Sequence, residues 1–158
     1  MLALHSWSST DESCHHATII EALRVSVTIQ ASPQLVWAVL TDWSRASEWM
    51  AGVDWVTTPS TGPLREGASL SFRVRGKERP VEVTTHDEPR RLTLTSVEGP
   101  VRTDHSYSLR PAGDATRLEL VACCEARRVA RLLGPLLRRA IRHEDADQAD
   151  ALKALVEA

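Results

Sequence analysis

Leu92-Thr93-Leu94-Thr95-Ser96-Val97-Glu98-Gly99-Pro100-Val101-Arg102-Thr103-Asp104-His105-Ser106-Tyr107-Ser108-Leu109 is the stretch that decides the fold. Leu92 and Leu94 alternate with Thr93 and Thr95, and His105, Tyr107 and Leu109 alternate with Ser106 and Ser108, which is the period of half-buried strands. Gly99-Pro100 between them reads as a tight turn. A hairpin closed there sets Ser96 opposite Thr103, Leu94 opposite His105 and Leu92 opposite Tyr107. Centring the next turn on Ala112-Gly113 sets His105 opposite Leu120 and Tyr107 opposite Leu118. Apolar residues meet apolar residues in both hairpins, so the parity is consistent.

The same alternation continues outward. Leu70, Phe72 and Val74 alternate with Ser71, Arg73 and Arg75, and Val81 and Val83 with Glu82 and Thr84. Leu118 and Leu120 alternate with Arg117 and Glu119, and glycines punctuate the run. Consecutive alternating strands with short turns predict an antiparallel meander with one wet face. Upstream, Leu23, Val25, Val27 and Ile29 predict a further strand. Ser32-Pro33 then predicts a helix N-cap followed by proline at the first helical position, with the helix over Leu35–Leu40. Asp42 or Ser44 caps a second short helix reaching Trp49 or Met50. From Arg127 to Glu157 the period changes: Leu133, Leu137, Ile141, Leu152 and Leu155 recur at helical spacing, a helix of ~28 residues and ~40 Å. Gly134-Pro135 kinks that helix or starts it afresh.

These elements predict an α+β fold, a curved antiparallel sheet of about seven strands wrapped around a long C-terminal helix, with two short helices after the first strand. One helix does not fill the concave side of such a sheet, so part of the space left is a cavity. Residues 1–18 read as a flexible leader and 19–158 as the domain. At 158 residues, 42% hydrophobic and 25% charged, the chain has the length and composition of one globular domain. A net charge of −2 offers no electrostatic reason to expect nucleic acid or an anionic membrane as partner. No apolar stretch approaches the ~20 residues of a membrane span. Cys14, Cys123 and Cys124 form no disulfide framework, and neighbours on a strand point to opposite faces. A reducing cytoplasm fits that set.

Several segments, taken in order, resemble the START-like superfamily, also called helix-grip or Bet v 1-like, and within it the branch of polyketide cyclases and dehydrases. They are Val27-Thr28-Ile29-Gln30-Ala31-Ser32-Pro33 running into Val36-Trp37, then Asp42 with Trp49, then Glu88-Pro89-Arg90-Arg91-Leu92. Tyr107-Ser108-Leu109-Arg110-Pro111 leads to Ala115-Thr116-Arg117-Leu118, and Leu152-Lys153-Ala154-Leu155-Val156-Glu157 closes the chain. Together they cover residues 23–157. The resemblance implies a cavity for a hydrophobic molecule and no particular reaction, since members include cyclases, dehydratases, lipid carriers, hormone-binding proteins and co-chaperones. It carries no universal catalytic residue. With one Phe and one Tyr against five Trp, this cavity is expected to be more aliphatic and Trp-lined than that of an aromatic polyketide cyclase.

His105, on the inner face between Leu94 and Leu120, is the leading candidate for catalysis. A partly desolvated imidazole there serves as base for enolisation or dehydration, or else only hydrogen-bonds a neighbour in the wall. Tyr107, on the same face, donates to a carbonyl oxygen or is a satisfied core tyrosine. Glu98 shares the parity but adjoins the turn, where it is an acid or a solvated rim residue. Ser96 and Thr103 orient a polar substituent or pair across the strands. Trp43, Trp49 and Trp55 gather around the short helices, where the resemblance places one side of the cavity. With Phe72, Leu94 and Leu120 they are the expected ligand-contacting walls, or ordinary core.

Cys124 also falls on the inner face, as a small core residue with no activating base beside it. Arg73, Arg75 and Arg79 are expected outward, as a solvated strand face. For His86 the apolar count favours Val81, Val83 and Thr85 as the inner set, leaving the imidazole outside. Cys14-His15-His16 matches no zinc spacing. No glycine-rich phosphate loop, nucleophile elbow or paired-histidine motif occurs, and no cofactor or metal is expected. The leading function is a cofactor-independent cyclase or dehydratase of secondary metabolism acting on a polyketide-like substrate. The alternatives are a non-catalytic carrier or sensor of a lipid-like molecule and a protein-interaction module. Monomer and homodimer both remain open.

Overall fold

Ser32-Pro33 is where the first strand, β1 (Ile19–Ile29), gives way to α1 (Pro33–Leu40). Ser32 Oγ accepts the Leu35 amide at 3.3 Å, and Pro33 supplies the fixed φ and missing donor that suit a first helical position. Asp42 caps a single 3-10 turn, and α2 (Ala46–Trp49) follows. The computed structural model describes residues 19–59, 63–126 and 134–158, so the leader at 1–18 lies outside it. The remaining strands are β2 (Val53–Thr57), β3 (Ser69–Val74), β4 (Lys77–Asp87), β5 (Arg91–Glu98), β6 (Val101–Ala112) and β7 (Ala115–Ala126). They form one antiparallel sheet in the order β1-β7-β6-β5-β4-β3-β2, a meander with β1 returned to its far edge.

The β5–β6 hairpin has the register read from the sequence: Leu92 opposite Tyr107, Leu94 opposite His105, Ser96 opposite Thr103. The β6–β7 hairpin is displaced by two residues from the expected one, with Tyr107 opposite Leu120 and His105 opposite Ala122. The turn is Gly113-Asp114, with Gly113 at φ 64°, and glycine at the first central position is what a type II′ turn requires. A slip of two leaves every side chain on its expected face.

Elsewhere an irregularity changes the face. A bulge between Val83 and Thr85 shifts β4 against β5, so Val83 faces in and His86, opposite Leu92, faces in as well. The imidazole of His86 meets Trp37 edge-on at 5.2 Å, against the outward placement that simple alternation favours. Arg79 also departs from expectation: β4 pairs with β3 so that Arg79 stands opposite Phe72 on the concave side. Arg73 does face outward, with its guanidinium 4.6 Å over the Trp55 ring.

The long C-terminal helix is present and divided, as α3 (Gly134–Asp145) and α4 (Gln148–Glu157). Gly134 is the first described residue of α3, and residues 127–133 of the expected helix lie outside the described set. Leu152 of α4 is fully buried, in one cluster with Val36, Leu40, Trp49, Leu118 and Leu120. That packing closes one half of the sheet's concave face. The other half, under α3, is left open.

Candidate functional site

A cavity of about 390 Å³ occupies that open half, between the inner faces of β3 to β6 and the helical segments α3 and α4. Its apolar wall includes Phe72, Val81, Leu94 and, from α3, Leu137 and Ile141. The polar groups sit along one line of the sheet. His105 and Tyr107 are two residues apart on β6 and share a face, and α3 and α4 bring Asp145 and Gln148 against them.

These four side chains form a continuous chain of hydrogen bonds. His105 Nε2 lies 2.9 Å from Asp145 Oδ2. Gln148 Nε2 donates to Asp145 Oδ1, and Tyr107 donates its hydroxyl proton to Gln148 Oε1 at 2.9 Å. The amide orientation is forced, because turning it over would set Oε1 against a carboxylate oxygen. A carboxylate accepts only, so the contact with Asp145 calls for the proton on His105 Nε2 and leaves Nδ1 outside this chain of hydrogen bonds. The His105 side chain is 22% exposed and Asp145 12%. The pair is therefore shielded from bulk water, with one face of the imidazole toward the cavity.

Tyr107 is 2% exposed, its ring meeting Trp49 edge-on at 5.9 Å. Burial, and after it the negative charge of Asp145, push its phenol far above the ordinary 10.0. The protonated form is the one the fold favours. Its contribution to stability is full below the unfolded value and is lost as pH rises beyond it. Tyr107 is the chain's only tyrosine, so near-ultraviolet absorbance reads it alone. Raising the pH through 10.0 yields no tyrosinate signal until the protein unfolds. A signal rising at the ordinary value with the fold intact would place Tyr107 in contact with water.

Phe72, Leu94, Ser96, Thr103, His105 and Tyr107 all line the cavity, with Glu98 at its rim. Trp43, Trp49, Trp55 and Leu120 do not. Trp43 stands behind Phe72 at 5.8 Å, Trp49 behind Tyr107, and Trp55 is 51% exposed on the outer face. Leu120 is fully buried between Tyr107 and Val25. Ser96 and Thr103, paired next to Leu94 and His105, offer hydroxyls for a ligand oxygen. At the rim Arg79 Nε lies 3.0 Å from Glu98 Oε1, an ion-pair contact not aligned as a hydrogen bond.

Asp145 and Gln148 are missing from the sequence expectation, which names only the apolar residues of the C-terminal helix and Gly134-Pro135. Their signal is there nonetheless. Ile141, Asp145, Gln148 and Leu152 fall at i, i+4, i+7 and i+11, one helical stripe, and all are buried. Two polar residues within an apolar stripe mark a buried polar network.

Cys124 is free and buried, opposite Thr103 on the inner face, and burial pushes its thiol up. Cys123 is disulfide-bonded, contrary to the expectation of reduced cysteines, so the cysteine set no longer argues for a reducing compartment. Among the described residues no three His, Cys, Asp or Glu side chains are grouped to hold a metal, and Cys14-His15-His16 lies outside them. No described helix is long and apolar enough to cross a membrane.

The family profile described as polyketide cyclase / dehydrase and lipid transport matches residues 21–157. No curated protein matches the sequence significantly. Among solved structures, the fold is similar to the Zhui aromatase/cyclase from Streptomyces sp. R1128, with a TM-score of 0.70 and 15% identity over 88% of this chain and 94% of that one. A START superfamily protein from Mycobacterium smegmatis aligns with a TM-score of 0.66 and 18% identity, covering 85% of this chain and 96% of that one. A norcoclaurine synthase point mutant from Thalictrum, in complex with a transition-state analogue, aligns at 0.66 and 16%, covering 87% and 94%. At these identities the likeness is one of fold.

Proposed function

We propose, from the premise that this chain belongs to the polyketide cyclase / dehydrase and lipid transport family, that it carries out acid–base chemistry on a hydrophobic, polyketide-like molecule held in the cavity. The observation that carries the reading is the imidazole of His105 on the cavity wall, bound through Nε2 to a shielded carboxylate. An apolar cleft of about 390 Å³ with a few convergent polar groups is the usual form of a small-molecule site.

In this reading Nδ1 of His105 removes a proton from carbon beside a carbonyl, and the electron pair moves onto the carbonyl oxygen. Ser96 or Thr103 donates a hydrogen bond to that oxygen. The imidazolium, steadied by Asp145, then returns its proton, either to a new alkoxide after ring closure or to a hydroxyl that leaves as water. Tyr107 acts through Gln148: its one proton is spent there, and the phenol keeps the amide turned toward Asp145. Glu98 and Arg79 meet the ligand's outer end at the rim. The mould is shaped by Phe72, Val81, Leu94 and Ile141, and holding a flexible substrate folded supplies part of the rate.

The apolar majority of the wall also suits a lipid carrier, and the family description includes transport. Mass spectrometry of small molecules released on denaturing protein purified from its own host separates the two. A cyclised or dehydrated product together with its linear precursor is the expected result. An unmodified fatty acid or similar lipid in its place would favour carriage and sink the enzymatic reading.

A further inference from the structure

Arg75 occupies a left-handed backbone position, φ 49°, ahead of Gly76 at φ 78° in the two-residue turn that joins β3 to β4. Two positive φ values make a type I′ turn, whose first central position favours asparagine or aspartate over a long side chain. What arginine adds there is reach. Its amide donates to the Gly52 carbonyl at 2.9 Å. Its side chain crosses Gly52, where a Cβ would lie 3.3 Å from Nε, and Nη1 donates to Glu144 Oε1 of α3 at 2.8 Å. Ala51, Val53 and Val74 line the cavity from this side of the sheet, and Leu137, Ala140 and Glu144 line it from α3. With side chains 64% and 39% exposed, the pair lies at the surface where these two walls meet. Among the described residues it is the one polar link between α3 and the β2–β3 side. The opposite side of α3 is fastened to β1: Arg142 donates Nε to the Ala22 carbonyl at 3.0 Å, and Gly134 lies against Ile20. At its end α3 is parted from α4 by Ala146-Asp147, and α4 is anchored independently through buried Leu152.

We propose that the Arg75–Glu144 pair is a latch on the cavity. Releasing it parts α3 from the β2–β3 side and admits the ligand, with α3 swinging about its attachment to β1 and Ala146-Asp147 serving as the joint to α4. The proposal rests on the reading of the cavity as a ligand site and holds equally for an enzyme and for a carrier. An exposed ion pair is weak, which suits a latch: it closes α3 over a ligand yet yields often enough to let one pass. Asp145 adjoins the joint, so it moves least and keeps its bond to His105.

The test is hydrogen–deuterium exchange of the full chain, read by mass spectrometry, for the wild type, Arg75→Asn and Glu144→Gln. Asparagine suits the left-handed turn position better than arginine, so Arg75→Asn breaks the latch without loosening the hairpin. Its Tm is expected to equal or exceed that of the wild type. In both variants the α3 amides exchange faster by up to about fivefold, the most an exposed ion pair supplies, with α4 and the sheet unchanged. High salt does the same to the wild type and adds nothing in the variants. In stopped flow, the neutral dye N-phenyl-1-naphthylamine associates and dissociates faster by the same factor, so its Kd stays in place. Unchanged α3 exchange in Arg75→Asn would overturn the proposal. So would faster exchange spread over α4 and the sheet, which would make the pair an ordinary contributor to stability. Faster dye dissociation with unchanged association would instead make the pair part of the binding wall. Exchange needs no ligand, so a latch that fails there fails separately from the ligand reading.

Discussion

Replacing His105 with alanine lowers turnover of the cavity's substrate by about 10²–10⁴-fold, the usual contribution of a positioned acid–base group. Substrate affinity changes little, because Leu94, Phe72 and Ile141 supply the apolar wall and none of them depends on the imidazole. The effect therefore falls on kcat and leaves KM nearly in place. The fold survives the change: Asp145 keeps the Gln148 amide as donor, so one lost hydrogen bond costs about 1–3 kcal/mol. His105→Gln shows the same loss of turnover with a smaller stability cost, since an amide restores a donor to Asp145 without a titrating base. Full activity in either variant would remove His105 from the chemistry and leave it a wall residue.

Trp49→Ala destabilises the protein by about 3–5 kcal/mol, the cost of emptying a large aromatic site in a core. Trp49 is 2% exposed and packs edge-on against Tyr107 at 5.9 Å. Its Nε1 has no hydrogen-bond partner among the described residues, so the loss is one of packing and cavity formation. Tyr107 loses its backing, and with it goes part of the support for Gln148 and Asp145. Urea unfolding followed by circular dichroism reads the change as a lower midpoint at unchanged slope. A loss below about 1 kcal/mol accompanied by a large fall in ligand affinity would instead put Trp49 in contact with the ligand.

Strand identity and facing were legible because alternation is a local signal with a fixed period. Leu92, Leu94, His105 and Tyr107 each needed only neighbours two residues away to be assigned to the inner face. What depended on a single backbone irregularity was not legible. Nothing in Val83-Thr84-Thr85 announces the bulge that turns His86 inward. The position of the second hairpin hung on which residue precedes Gly113 in the turn. Arg79 was legible and overlooked: it shares the parity of Val81 and Val83, the inner set, and its pairing with Phe72 follows that alternation. The cluster of tryptophans was visible, but not which of them reach the cavity. Short helices and an edge strand leave that to packing, and Trp55 ended on the outer face. The site's second half, Asp145 and Gln148, was written in the helical stripe Ile141, Asp145, Gln148, Leu152. Reading it required asking why polar residues occupy apolar positions.

The central claim is that Asp145 fixes the tautomer of His105 and leaves Nδ1 free toward the cavity. Nitrogen-15 NMR of the His105 ring, recorded where the imidazole is neutral, tests it without knowledge of the substrate. The expected spectrum has a protonated Nε2 and an unprotonated Nδ1, with the tautomer preference lost or reversed in Asp145→Asn. A proton on Nδ1 in the wild-type protein, or a ring averaging between tautomers and indifferent to Asp145, would contradict the account.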